Sequence, residues 1–545
     1  MGRAALRAGL TRRALLGAGA AALALGPAGC GRPPASFDGG WVGAAASRGH
    51  RLREAGRIVP AAAAPPRRAS VLVIGAGIAG LAAARELARR GIDDVRLLEL
   101  EDAPGGNSRG HAVGGLACPL GAHYLPLPGP HAHEVTGLLD SLGLCREEAG
   151  RTVWDERHLC HSPQERLFID GAWVEGLLPP AEPGSTTQAQ YRRFAAAVRQ
   201  ASREAGFAMP TQRAGWSAAH AALDALTFGQ WLQAQGLDDA RLLWYLDHCC
   251  RDDYGAGIDV VSAWAGLHYF ASRHGFHAPG DEDAAREPVL TWPEGNGWLA
   301  ERLAAPLRER LHTGRTVLGV EESRHGVTVR AWDERLGRPE TWQAGHVVLA
   351  VPLFVAARLL ERPPAALVEA VRAQRHAPWL VANLRLDEPL AVVPGGAPPS
   401  WDNVAFGGDA RALGYVDAMH QALRPHPGPT VLTAYWALPQ AQRAALLQRP
   451  WRDWAEAVIA DLAPLHPDLP AKVRRAELMR WGHAMSIPLP GVRGSAALRA
   501  LGETGTRVRF AHADLSGYSV FEEAYTRGMQ AGAAVAARLG AARRA

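Results

Sequence analysis

Lysine is almost absent from this chain. Lys472 is the single lysine among 59 basic residues, so 59 − 1 leaves 58 arginines. They face 54 acidic residues, giving a formal net charge of +5 and a pI of about 9.0. No basic block with interleaved aromatics occurs, so nucleic acid is not expected as a partner. Cysteine is scarce too. The six, Cys30, Cys118, Cys145, Cys160, Cys249 and Cys250, form no C-x-x-C, and no Cys/His set has zinc spacing. Neither a structural zinc nor a dithiol redox site is expected, and no other metal site is read from the sequence. Cys249 and Cys250 are neighbours, and bridging them would strain the peptide, so free thiols are the expectation. No internal repeat of solenoid period appears, which excludes a repeat array. What is present is ordinary globular material. A chain of 545 residues with 48% hydrophobic content can build two or more domains around a large core.

The N-terminus LRAGLTRRALLGAGAAALALGPAGCG has a basic leader and the pair Arg12–Arg13, then an uncharged stretch from Ala14 to Gly29. That stretch is short for a membrane span and is flanked like a signal peptide. TRRALL resembles a twin-arginine export signal, a route for proteins already folded. The expected location is therefore periplasmic or otherwise outside the cytoplasm, with the twin-arginine export machinery as a partner. PAGC (27–30) resembles a lipoprotein cleavage box, so membrane anchoring through a lipidated Cys30 is an expectation as well. Residues 1–32 read as this leader, and the Ala-, Pro- and Arg-rich stretch 33–68 reads as a flexible linker.

Folded structure should begin near Ser70. VLVIGAGIAG (71–80) runs as strand, glycine turn and helix, and a second strand follows at 95–100, which is a βαβ unit. Helical patterns occur at 133–142, 187–205 and 217–235, then in a Trp/Tyr-rich stretch at 241–272. Strand-like alternation returns in RTVLGVEE, GVTVRAWDE and HVVLAVP, and a closing helix is expected at about 521–539. Nucleotide-type segments thus lie at the start, middle and end of the chain. The expected architecture is α/β and discontinuous. A Rossmann-like domain with a central parallel sheet takes 69–150, 287–355 and 490–545, and an α+β substrate-binding domain takes 151–286 and 356–489.

The turn Gly75-Ala76-Gly77-Ile78-Ala79-Gly80 has a physical logic. Gly75 permits a tight turn, Gly77 lets backbone approach a pyrophosphate, and Gly80 lets helix and strand pack closely. The helix N-terminus then offers amides and a positive dipole end to phosphate. The second strand must end in an acid for ribose hydroxyls. Glu99, followed by Leu100, stands 24 residues beyond Gly75. This context makes a weak motif a strong one. No second dinucleotide fingerprint appears, which disfavours an NAD(P)H-driven flavoprotein.

LELEDAPGGNSRG (98–110) resembles the glycine pair that follows the acid in flavin amine oxidases and their protoporphyrinogen oxidase and phytoene desaturase relatives. Gly105 and Gly106 match the pair. Asn107 stands where arginine is usual, and Arg109 carries the charge two residues on. RTVLGVEE resembles the strand whose valine, here Val317, lies against adenine. RFAHADLSGYSVFEEAYTRG (509–528) resembles the terminal flavin segment. Asp514 matches its ribityl-contacting acid, backbone amides near Ala524 are implied at the flavin's pyrimidine end, and Glu523 replaces a usual glycine. The resemblance implies one FAD, held non-covalently. It also implies an aromatic wall in RWGHAMSIPLPG (480–491), with Trp481 and His483 nearest the ring, and a substrate-side loop in GAHYLPLP (121–128), with His123 and Tyr124.

Two departures narrow the substrate. Tyr124 stands where amino-acid oxidases carry a carboxylate-binding arginine, which disfavours free amino acids. APWLVANLRL (377–386) lacks the lysine that monoamine and polyamine oxidases place near flavin N5. Asp247, Asp252 and Asp253, with nearby aromatics, are candidates to hold a cationic amine. The expected function is FAD-dependent oxidation of a C–N bond in a polyamine-like or other cationic amine by hydride transfer to flavin N5. Proton transfer is left to the substrate's own acidity, His123 or His483, and reoxidation to oxygen or a periplasmic acceptor. The missing lysine gives an alternative, a desaturase or dehydrogenase of a lipid-like or cyclic molecule. A flavin-bearing electron relay or scaffold without turnover is a third reading.

Overall fold

The computed structural model describes residues 36–53, 65–273, 275–279, 288–392, 394–424, 426–503 and 506–542. The leader pair Arg12–Arg13 and Cys30 lie outside the described residues. The five described cysteines are free, four of them buried. Among the described residues no helix is long and apolar enough to cross a membrane.

Two sheets organise the chain, and the fold is a mixed α/β one. The first has seven strands. Leu311–His312, Val95–Leu98, Arg67–Ile74, Arg338–Leu349 and Val508–Phe510 run parallel, and an antiparallel pair, Gly326–Asp333 and Arg315–Ser323, extends the edge. Its central parallel strands end in buried apolar runs, Val71–Ile74 and Val347–Leu349, because both faces are covered there. The helix Ile78–Arg89 packs on it, and the closing helix Phe521–Ala542 crosses that helix at close range. A Cβ on Gly528 would stand 2.1 Å from the Ala79 carbonyl oxygen. These strands fall at 67–98, 311–349 and 508–510.

The second sheet has eight strands in the order Asp38–Trp41, Val473–Ile487, Arg375–Leu386, Thr430–Ala437, Ala412–Asp417, Asp402–Ala405, Glu165–Ile169 and Ala172–Glu175. Alternation along Arg375–Leu386 splits two cores, as strand geometry demands. Trp379 and Val381 face the helical segment 186–271, packing with Phe194, Leu246 and Trp264. Leu380, Ala382 and Leu384 face the helix Trp451–Leu462 with Trp454 and Val458.

Three boundaries differ from the sequence reading. The stretch at 217–235 divides into Ala218–Asp224 and Phe228–Ala234, each started by its own capping box, at Ser217 and Thr227. The stretch at 241–272 divides into Ala240–Tyr254 and Ala263–Ala271, because Gly255 takes the left-handed conformation that ends a helix. The third is a correction. Residues 38–53, inside the expected flexible linker, hold the strand Asp38–Trp41, parallel to Arg475–Leu478, and the short helix Ala46–His50. A four-residue strand of DGGW carries no readable period. Its place is set instead by Phe37 and Trp41 packing on the second sheet's outer core.

Candidate active site

One cavity of about 660 Å³ runs between the sheets. Its first end is made of backbone. Arg67–Ile74 delivers the chain into Gly75 at φ +94°, a conformation that disfavours any other residue. The turn then lies so close to the helix that a Cβ on Gly80 would meet the Gly75 carbonyl oxygen at 1.9 Å. Gly105 N–H donates to the Ala76 carbonyl at 2.8 Å, drawing the second glycine pair beside the first. Glu99 is buried, accepts from the amides of Ala76 (2.7 Å) and Glu101 (3.0 Å), and has its pKa raised by burial. Gly75, Gly77, Ile78, Ala79, Glu99, Leu100, Gly105, Gly106, Asn107, Arg109 and Val317 all line the cavity. Ala76 and Gly80 stand behind it.

Arg109 tests whether a dinucleotide fits here. It is buried, yet its Nε and one terminal nitrogen have no hydrogen-bond partner among the described residues. An uncompensated buried guanidinium beside two glycine turns is the environment a pyrophosphate satisfies. The residues therefore fit a flavin dinucleotide. Asn107, at the usual arginine position, instead donates its side-chain amide to the Ala484 carbonyl at 2.5 Å, tying this loop to the second sheet.

Asp514 is fully buried beyond the turn. It accepts from the Leu353 amide at 2.9 Å and faces His376 Nε2 and His512 Nδ1, both at 3.2 Å. Burial pushes its carboxyl up, but the two imidazoles more than offset this and hold it well below the usual range. Phe521, Glu522 and Ala524 bring the closing helix to the cavity, where the Ala524 amide already donates to Val520 at 3.2 Å. Glu523 points away from the cavity. It accepts from the Thr211 amide at 2.5 Å, and from the Ser516 and Tyr518 hydroxyls, fastening the helical segment to the closing helix. Tyr518 sits in that network with His268 and Met209, and Val520 is the residue that meets the cavity.

The second end is made of side chains. His123, Tyr124, Asp252, Asp253, Trp379 and Tyr435 line it, with Arg273 and Glu522. Tyr124 donates to Asp252 at 3.2 Å. Arg273 pairs with Asp253 at 3.3 Å and lies over the Tyr269 ring. Burial pushes Asp252 up to about 6 and Glu522 up to about 7. Tyr124 is pushed well above its usual value, again by burial first. His123 packs on Tyr435 (4.5 Å between ring centroids) and Tyr124 (4.9 Å), with Nε2 3.5 Å from the Asp402 carboxylate. Asp247 is spent elsewhere, pairing with Arg251 at 2.8 Å.

Trp481 and His483 both line the cavity but differ in company. Trp481 donates to the Leu120 carbonyl at 2.8 Å, and the Arg109 guanidinium lies 5.3 Å above its ring. His483 packs against Phe354 and His376, on the side where Asp514 lies. Burial, then Arg443, lowers its pKa to about 4. Sequence reasoning missed Tyr435, Trp379, Arg273, Glu522 and Asp402. It also missed the N-terminal residues 44–46, 49–50 and 52–53, which line the cavity near Glu99. Glu522 and Trp379 lie within the segments 509–528 and 377–386 without being marked by them, and no local spacing links the others.

The family model for flavin containing amine oxidoreductases matches residues 78–536. A Mycobacterium tuberculosis (strain H37Rv) protein named as a flavin-containing monoamine oxidase, AofH, is 30% identical over 302 residues, which cover 54% of this chain and 60% of that protein. The chain thus spans about 60% of the length of the curated relatives it matches. Among solved structures, putrescine oxidase bound to putrescine superposes with a TM-score of 0.63 at 19% identity, over 87% of this chain and 100% of that one. Cyclohexylamine oxidase from Brevibacterium oxydans IH-35A gives a TM-score of 0.65 at 18% identity, over 87% and 99%. At such identities the likeness is one of fold.

Proposed function

The chain belongs to the flavin-containing amine oxidoreductase family, and from that premise we propose that it oxidises a C–N bond of a small cationic amine. The observation that carries this reading is the charge of the cavity's second end. Asp252, Asp253 and Glu522 meet there, with Arg273 pairing with Asp253 and facing Glu522. A cavity wall with surplus buried carboxylate favours a cationic guest, and Tyr124, Tyr435 and Trp379 add ring faces for cation–π contact. The glycine turns, Glu99, Arg109 and Asp514 would hold FAD. When bound, FAD supplies the hydride acceptor. The protein's part is to orient the amine, exclude water and manage its proton. Tyr124, with its hydroxyl committed to Asp252, offers nothing to a substrate carboxylate.

The lipid-like alternative expects an apolar pocket with Asp252 and Asp253 turned away, and both face the cavity. The test is anaerobic titration of the FAD-loaded protein with primary and secondary amines. Bleaching of the flavin by a cationic amine supports the reading, and failure across a broad panel sinks it. Export is proposed from the leader alone. Arg12→Lys with Arg13→Lys should trap the loaded protein in the cytoplasm on fractionation. Unchanged periplasmic recovery would refute it.

A further inference from the structure

An ammonium has no lone pair to assist hydride departure, so a substrate bound as the cation must lose a proton before it is oxidised. The sole lysine cannot do it. Lys472 pairs with Asp468 at 2.9 Å and donates to the Pro389 carbonyl, and it does not line the cavity. His483 lies with Phe354 and His376, away from the acidic wall. Asp253 is engaged by Arg273, and Glu522 faces the same guanidinium. Asp252 is left. It sits in the last turn of the helix Ala240–Tyr254, lines the cavity, and has the Tyr124 hydroxyl as its hydrogen-bond donor.

Resting on the amine reading, we propose that Asp252 is the group that pairs with the substrate's ammonium and then takes its proton. One N–H bond breaks and one carboxyl O–H bond forms, and the amine is left neutral with its lone pair free. His123 and Asp402 face Asp252 from the adjoining wall, and the Asp402 side chain is 28% exposed. The groups facing Asp252 are Tyr124, His123, Asp402, Asp253, Tyr435 and Cys249. Burial and the neighbouring acids raise its proton affinity, which makes it a stronger base than an exposed carboxylate.

The experiment follows flavin bleaching by a cationic amine in anaerobic stopped flow, across pH, for wild type, Asp252→Asn, Asp252→Glu and Tyr124→Phe. Flavin content reports folding. Asp252→Asn should lower the limiting rate at least about 100-fold, weaken saturation by amine, and erase the acid limb of the profile. Asp252→Glu should restore part of the rate. Tyr124→Phe keeps the charge but removes a hydrogen bond to the ionised form, so the limb should move to higher pH. A flavin-loaded Asp252→Asn protein with wild-type saturation and pH profile overturns the assignment while leaving the amine reading intact. If no amine bleaches the wild type, both fall. If the Asn variant fails to fold, an unmoved limb in Tyr124→Phe overturns the assignment.

Discussion

The two ends of the cavity are built on opposite principles. At the glycine end main chain is laid open at Gly75, Gly77, Gly105 and Gly106, with the side chains of Glu99, Arg109 and Val317 around it. At the acidic end the surface is almost wholly side chain, drawn from the loop 121–126, the helix Ala240–Tyr254, Arg273 and strands of the second sheet. A backbone-built site needs correct local geometry and little else. A site built of side chains needs several distant segments to arrive together, and each of its acids must be tolerated by the rest.

The largest expected effect breaks the first principle. Gly80→Ala puts a methyl 1.9 Å from a carbonyl oxygen, so helix and strand must part. We expect a loss of about 3 kcal/mol or more, read as a lower melting temperature and little flavin in the purified protein. A normally loaded variant would contradict the backbone account of this end.

The middle effect contrasts the acids of the two ends through pH. Asp252 and Glu522 have raised folded-state pKa values, about 6 and about 7 against ordinary values of 3.8 and 4.5. Folding therefore prefers their protonated forms. Their contribution is fully present below pH 4 and is lost as pH rises through 6 to 7, on the order of 2 kcal/mol. Asp514 has the opposite sign, since its lowered pKa contributes above the ordinary carboxylate range and is lost only in stronger acid. The difference in melting temperature between the flavin-free wild type and Asp252→Asn with Glu522→Gln should thus fall as pH rises from 5 to 8, the buried histidines being common to both. A difference independent of pH would count against it. The smallest effect lies outside both ends. Arg48→Ala removes a pair with Asp102, whose carboxylate is 68% exposed, and should cost less than about 1 kcal/mol in thermal unfolding.

Legibility divided along the same line. The glycine end was readable because its determinants are local: Gly75 to Gly80 are contiguous, Glu99 closes the next strand, and Gly105–Gly106 follow at once. Sheet and helix in this half also follow the periods of their sequence. At the acidic end, Asp252 and Tyr124 were nameable as candidates, but their hydrogen bond spans 128 positions and no spacing encodes it. Tyr435 was invisible because every residue of the strand Thr430–Ala437 is buried, so nothing marks one as cavity-facing. Glu523 read as an irregularity in a flavin segment, whereas the fold uses it to clamp Thr211 to the closing helix.

The strand Asp38–Trp41 is the outermost of its sheet and pairs with one neighbour among the described strands. The short helix after it is pinned through Ala45 N–H to Glu101, Arg48 to Asp102 and Arg51 to Glu334, and the segment roofs the cavity beside Glu99. Peeling this edge would uncover Phe37 and Trp41 while the rest of the sheet stays paired. A nucleotide beneath the segment would then have a way out that does not require unfolding the whole molecule. Its residence would be set by eighteen residues (36–53) distinct from those of the acidic end.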